Sequence, residues 1–399
     1  METSTGTITA TAGSTGGTEV SVGVEPLSPG DDLVAWVASV GPELERHADR
    51  HDRDGTWVQE SYVLLSDSGY MAAGVPVELG GLGASISEVS AAQREMARYC
   101  ASTALATSMH QHVTAFTAWR YRRGMAGAEA TLRRVAEERI VLVSTGAGDL
   151  TRPRGEARRV DGGFVVSGRK VFASGSPVGS VMSTMFAYDD PDRGLRVLNM
   201  PVPFADPGVR VLENWDALGM RGTGSNDIVI EEVFVPDEKV MADRPHGVID
   251  PPLQVVLTIG FSIVAGVYLG VAEGARDKAV GVAGPSDDPI VQRQVGLMDH
   301  RIRVAGWALD GALQVVGDDP APSMSTLQAV FTAKREIVLA SMEICDLAMS
   351  VAGGRGFAKG SPIERAYRDV RGGPMHPFNP EQTLLLGGRL ALGVPCDEW

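Results

Sequence analysis

Seven histidines and one proline-bound acidic loop carry most of the chemistry this sequence could perform. The loop Pro374-Met-His-Pro-Phe-Asn-Pro-Glu381 places an imidazole, His376, and a carboxylate, Glu381, in a stretch stiffened by three prolines. An imidazole gives or takes a proton near neutral pH, and a carboxylate held in a rigid loop can act as a base. The alternative for His376 is a loop residue satisfied by backbone. His110-Gln-His112 and His47-Ala-Asp-Arg-His51 have spacings that a metal could use. On helices of this composition such residues lie on polar faces or at substrate rims, so no metal is expected. Gly353, Gly354 and Gly356 let backbone approach a cofactor closely, as glycine loops do around phosphate, and they also suit a helix C-cap followed by a tight turn.

These groups need elements to position them. From about residue 29 to 139 apolar residues recur at helical spacing, as in Leu33, Val34, Val37 and Val40, interrupted by the glycine-rich loop Gly74 to Gly83. Near Ile140 the pattern becomes short β-branched runs: Ile140 to Val143, Gly163 to Ser167, Val181 to Phe186 and Asp227 to Glu231. After Pro252 three long helical segments follow, near 252–282, 288–317 and 325–352, joined by short breaks that suit an antiparallel bundle. Strands gathered in the middle exclude a doubly wound α/β fold. The expectation is an α+β chain: a disordered tail over 1–28, an N-terminal helical domain over 29–139, a middle β domain over 140–249 and a C-terminal helical bundle over 250–399.

Composition removes several function classes. With 36 Lys+Arg against 50 Asp+Glu the formal charge is −14, a field that repels nucleic-acid phosphates. The three cysteines, Cys100, Cys345 and Cys396, are far apart and odd in number, which suits a reducing cytoplasm better than a disulfide framework. The first residues lack the basic and apolar regions of a signal peptide, and the most apolar run, Val255 to Val271, reads as a buried helix rather than a membrane span.

Four segments resemble the acyl-CoA dehydrogenase superfamily, including its flavin-dependent monooxygenase relatives. Trp215 to Pro236, with Leu218-Gly-Met-Arg-Gly-Thr-Gly-Ser-Asn226 inside it, is similar to the middle-domain signature; Gly168-Arg-Lys-Val-Phe-Ala-Ser174 resembles the strand against the flavin ring. Gly353-Gly-Arg-Gly-Phe357 with Ile363 to Arg371 resembles the C-terminal signature, and Gly80 to Gly83 fits the front. The resemblance implies a flavin, FAD or FMN, between the β domain and the bundle. Phe172 and Ser174 match positions beside the ring, Ser144 lies in the altered strand-edge motif Ser144 to Asp149, and Gly353, Gly354 and Gly356 match the cofactor loop. Phe172 as a plain core residue of its strand is the alternative reading. The resemblance also implies a homodimer or homotetramer.

The departures from the family pattern shape the expected reaction. Counted without gaps from Arg368-Asp369, the usual catalytic glutamate is Pro377, and the stretch Thr258 to Val264 offers no carboxylate in its place. Glu381 is the one candidate for a displaced base. His376 stands where monooxygenases of this fold place a histidine over the flavin to assist oxygen chemistry. The arginine and glutamine that anchor the flavin phosphates are missing from Lys278 to Pro285 and from Ser350, so the flavin is expected to bind loosely. The favoured activity is oxygenation of an organic substrate by reduced flavin and dioxygen, with a flavin reductase as partner. The alternatives are dehydrogenation of an acyl thioester and a redox-inactive partner subunit.

Overall fold

In a computed structural model, residues 25–145, 149–396 and 398 are described. The expected tail falls almost entirely outside them, as do residues 146–148 of the strand-edge motif. Five helices open the chain: α1 (Leu33–Asp54), α2 (Gln59–Asp67), α3 (Ile86–Ala97), α4 (Ala101–Arg122) and α5 (Ala128–Glu137). Asp32 starts α1 by accepting from the backbone N–H groups of Val34 and Ala35, and Gly55 ends it at φ +64°. Ser85 and Glu88 form a reciprocal capping box at α3.

Eight strands follow: β1 (Leu142–Ser144), β2 (Glu156–Val160), β3 (Gly163–Ala173), β4 (Val181–Asp190), β5 (Gly194–Pro203), β6 (Val209–Val211), β7 (Asn226–Pro236) and β8 (Ala242–Pro245). They form one mixed sheet in the order β6-β7-β3-β2-β4-β5-β8, with β1 parallel to β4. The long antiparallel pairs β3 with β7 and β4 with β5 build its body. Alternate side chains such as Phe164, Val166, Met182, Phe186, Ile228 and Ile230 fill a core of its own. Lys170 also points inward. Its ammonium pairs with Asp149 at 2.9 Å, donates to the carbonyls of Arg154 and Met185, and lies 4.6 Å from the Phe186 ring centroid.

The chain closes with α6 (Pro251–Ala283), α7 (Pro289–Val316), α8 (Met324–Ala352), α9 (Gly354–Phe357), α10 (Pro362–Asp369) and α11 (Pro380–Ala391). Helix α6 is long and apolar enough to cross a membrane, yet 94% of its most apolar window is buried inside the molecule. It packs between the N-terminal helices and the bundle, so the two helical blocks share one hydrophobic core. Small residues make that contact close: a methyl at Gly270 would lie 1.9 Å from the carbonyl oxygen of Arg94, and one at Gly274 would lie 2.6 Å from that of Arg98. The helical, β and helical order is the α+β architecture expected from the sequence.

Candidate functional site

The sheet, α4 and α6 converge on a cleft of about 170 Å³. Helix α4 contributes Met109, His112 and Phe116, helix α6 contributes Leu257, Gly260 and Phe261, and the sheet side contributes Ser144, Phe172, Ser174 and Asn199. His376 and Pro377 close it from the C-terminal loop. Four residues singled out in the sequence, Ser144, Phe172, Ser174 and His376, therefore meet around one cavity.

Phe172 is held at φ +57° and is 57% exposed, its ring edge-on to Trp215 at 6.0 Å. A large aromatic residue in that backbone conformation and so open to the cleft is not filling a core. The alternative reading of Phe172 as a buried strand residue is corrected by its exposure. Behind it runs a row of hydroxyls: Ser174 to Ser225 at 2.7 Å, Ser225 to Thr223 at 2.7 Å and Thr223 to the Met220 carbonyl at 2.8 Å. The carbonyl can only accept, so Thr223 donates to it, Ser225 donates to Thr223 and Ser174 donates to Ser225. Ser174 is left with oxygen lone pairs and no proton for a group in the cleft.

His376 is bonded through Nε2 to the Tyr268 hydroxyl at 2.9 Å. Burial, together with the nearby charge of Lys334, drives the imidazole pKa down to about 3, and burial pushes that of the Tyr268 phenol up. The phenol is protonated at ordinary pH and has no other acceptor among the described residues. It donates to Nε2, which leaves the ring proton on Nδ1. The loop backbone is held in turn by Lys334 of α8, whose ammonium donates to the carbonyls of His376 at 2.6 Å and Phe378 at 2.7 Å. With no carboxylate paired to it among the described residues, burial lowers the Lys334 pKa to about 7.

The pair His110 and His112 divides by face, because two residues turn a helix through about 200°. His110 points into the core, accepting from the Leu142 N–H at 2.9 Å through Nδ1 and meeting the Met71 carbonyl at 2.8 Å through Nε2, which pins β1 to α4. His112 lines the cleft and donates through Nδ1 to the Ser108 carbonyl at 3.1 Å, leaving Nε2 as an acceptor. Burial lowers its pKa to about 4, so it is neutral.

Comparison with known proteins gives this geometry its family. Models of the acyl-CoA dehydrogenase N-terminal and C-terminal domains match residues 37–121 and 262–380. An L-evernosamine nitrososynthase of a Micromonospora species is 32% identical over 93% of this chain and 93% of its own length. The chain belongs to the acyl-CoA dehydrogenase family. An amino sugar nitrososynthase of Streptomyces peucetius is 29% identical over 92% of this chain and 95% of its own. The structure of KijD3 in complex with FMN and dTDP-3-amino-2,3,6-trideoxy-4-keto-3-methyl-D-glucose superposes with a TM-score of 0.83 at 29% identity, covering 93% of this chain and 97% of that one. This family member is a flavin-dependent oxidoreductase of the monooxygenase kind. The cleft fits the flavin: the exposed Phe172 ring, braced edge-on by the half-buried Trp215, can pack on a planar ring, and the oriented Ser174 oxygen can accept from a ring N–H.

The remaining sequence candidates lie elsewhere in this subunit. Glu381 is exposed in the first turn of α11, where Asn379 and Gln382 form a capping box, and it lines no part of the cleft. A new helix starts at Pro380 and turns the Glu381 carboxylate to solvent, away from the cleft of this subunit. Gly353 caps α8 at φ +58°, Gly354 has no neighbour to exclude, and Gly356 packs against Ala352 and Ile363; none of the three touches the cleft. The hydroxyl of Ser350 is taken by Gln294 at 2.8 Å.

The two signatures meet in a junction that locks the domains. Asp369 accepts from the Met220 N–H, and Arg368 pairs with Asp52 and Glu364. A methyl at Gly219 would stand 2.4 Å from the Arg368 carbonyl oxygen. Burial raises the Asp369 pKa to about 6. Sequence reasoning missed Tyr268 and Lys334. The lysine left a signal, since it interrupts the apolar run Val330, Phe331, Ile337 and Val338 on the buried face of α8.

Proposed function

We propose that this enzyme oxygenates an amine nitrogen, turning a primary amine into a hydroxylamine with reduced FMN and dioxygen. The observation that carries the reading is the wall of the cleft: two imidazoles, His112 and His376, both held neutral, with hydroxyls and an amide and no carboxylate among the described lining residues. A thioester dehydrogenase needs a base beside the substrate's α-carbon, and this wall offers none of the usual kind. An amine nucleophile must be unprotonated, and a neutral, partly apolar cleft favours that form. The nitrososynthase relatives support the same substrate chemistry.

The flavin, when bound and reduced, supplies two electrons, so that one oxygen atom reaches the nitrogen and the other leaves as water. The protein's own groups do the rest. Ser174 accepts from the reduced ring, His376 donates from Nδ1 to oxygen, and the bare Nε2 of His112 accepts an N–H of the substrate and points the nitrogen lone pair away from itself. Reduced FMN comes from a separate flavin reductase, as the oxygenase-subunit name of one relative, from Rhodococcus jostii, suggests. We also assign a homo-oligomeric state and a cytoplasmic location; three buried free thiols suit a reducing compartment.

The test is an assay with FMN, NADH, a flavin reductase and ¹⁸O₂ on a nucleotide-linked amino sugar. One labelled oxygen on the product nitrogen per turnover is expected. Anaerobic bleaching of the oxidised protein by an acyl-CoA, with no reductase present, would replace this reading by thioester dehydrogenation.

A further inference from the structure

Two lysines are fully buried among the described residues, and their partners differ. Lys170 in the sheet has the Asp149 carboxylate at 2.9 Å. Lys334 of α8 has the carbonyls of His376 at 2.6 Å and Phe378 at 2.7 Å, and its ammonium lies 5.5 Å from the centroid of the Phe261 ring, which lines the cleft. Its charge therefore sits among two carbonyl dipoles and one aromatic face. A buried ammonium without a counterion destabilises a fold, and an apolar side chain of the same length would fill the space without that penalty. The residue is explained by what it holds.

It holds the stretch that carries His376 to the cleft. Ahead of the histidine the chain lies directly on its supporting helices: a methyl at Gly372 would stand 2.9 Å from the Tyr268 hydroxyl, and one at Gly373 would stand 2.9 Å from Val338. Behind it the Phe378 ring packs on Phe331 at 4.7 Å, Phe331 packs on Phe261 at 5.2 Å, and Arg335 donates to the Pro380 carbonyl at 3.2 Å. Lys334, one helical turn before Val338, joins the two anchors by taking the carbonyl of His376 itself. With the backbone fixed on both sides, the ring meets the Tyr268 hydroxyl through Nε2 at 2.9 Å and stays at the cleft wall.

We propose that Lys334 is a positioning residue for the oxygen chemistry: its two hydrogen bonds fix the loop so that His376 gives Nε2 to Tyr268 and keeps its Nδ1 proton for oxygen. Lys334 lines no part of the cleft and acts through His376 alone. A group held in place before the reaction needs no rearrangement during it, and a loop free to drift loses that advantage. The proposal rests on the reading of His376 as the group that serves oxygen.

Lys334→Met keeps the length of the side chain and removes its donors. Nuclear magnetic resonance of protein carrying ¹⁵N-labelled histidine, with the His376 signal assigned by its loss in His376→Gln, reports which ring nitrogen bears the proton. Wild type should show one tautomer, protonated on Nδ1, and Lys334→Met an averaged pair. In parallel, reduced, FMN-loaded protein is mixed with aerated buffer. The delay between oxygen uptake and peroxide release should shorten about tenfold or more in Lys334→Met, with FMN affinity unchanged. Lys334→Ala lacks three carbons and the ammonium, which n-propylammonium supplies; it should restore the delay, and n-propanol should not. A single tautomer with an undiminished delay in Lys334→Met would overturn the proposal, as would equal restoration by n-propanol, which would reduce Lys334 to a space filler. A delay that survives in His376→Ala would instead remove His376 from the oxygen chemistry, and the ring signal of Lys334→Met would still decide whether Lys334 sets its place.

Discussion

The cleft and the domain junction are both built from charged and polar residues carried by the family's signatures, and they differ in what is left over. At the junction the charged groups are taken up by one another: Arg368 is shared between Asp52, Glu364 and the Leu218 carbonyl, Asp369 holds the Met220 N–H, and Arg221 reaches the Asp52 carbonyl at 2.7 Å. In the cleft the polar groups are oriented by one partner and keep a second site open, as His112, His376 and Ser174 do. Saturation marks assembly and spare valence marks chemistry, although both regions look alike in sequence.

The largest effect that would break this contrast lies at the junction. Arg368→Ala leaves two partly buried carboxylates without their cation, and a loss of about 3–5 kcal/mol in urea unfolding is expected. A loss below about 1 kcal/mol would show the network to be an ordinary surface pair. In the cleft, His376→Ala should lower product formed per peroxide released by about a hundredfold, the scale of a positioned proton donor. An unchanged ratio would make His376 structural.

Lys334 sharpens the contrast through pH. Its folded pKa of about 7 lies below the unfolded value, so the unfolded chain holds more protons between about pH 7 and 10.4 and stability should rise with pH across that window. Lys334→Met should flatten the rise in unfolding curves taken at several pH values. A wild-type stability that falls from pH 7 to 10 would contradict the sign. Smaller again, Ser174→Ala should slow oxygen transfer by roughly tenfold, the loss of one hydrogen bond to the flavin, and leave the fold intact.

The sequence's periodicity made the three-part order legible, because amphipathic helices and β-branched runs announce themselves. Strand β2, Glu156-Ala-Arg-Arg-Val160, did not: only Ala157 is buried, and its place comes from backbone pairing with β3. Strand β5 was hidden by Pro201 and Pro203. At the site, Phe172 and Ser174 were legible because local sequence sets their strand end. The placement of Glu381 was not legible, because counting along a chain cannot see a capping box start a new helix three residues after Pro377. Tyr268 carries no local pattern, and only tertiary packing brings it to His376.

The central claim, that the open valence of His376 and not the carboxylate of Glu381 serves the chemistry, can be tested without a substrate. Reduced, FMN-loaded protein is mixed with aerated buffer while oxygen uptake and peroxide release are followed together. Wild type should consume oxygen well before peroxide appears; His376→Ala should abolish that delay, and Glu381→Gln should keep it. Peroxide appearing in step with oxygen uptake in all three proteins, with an acyl-CoA bleaching the oxidised flavin only while Glu381 is present, would contradict the account.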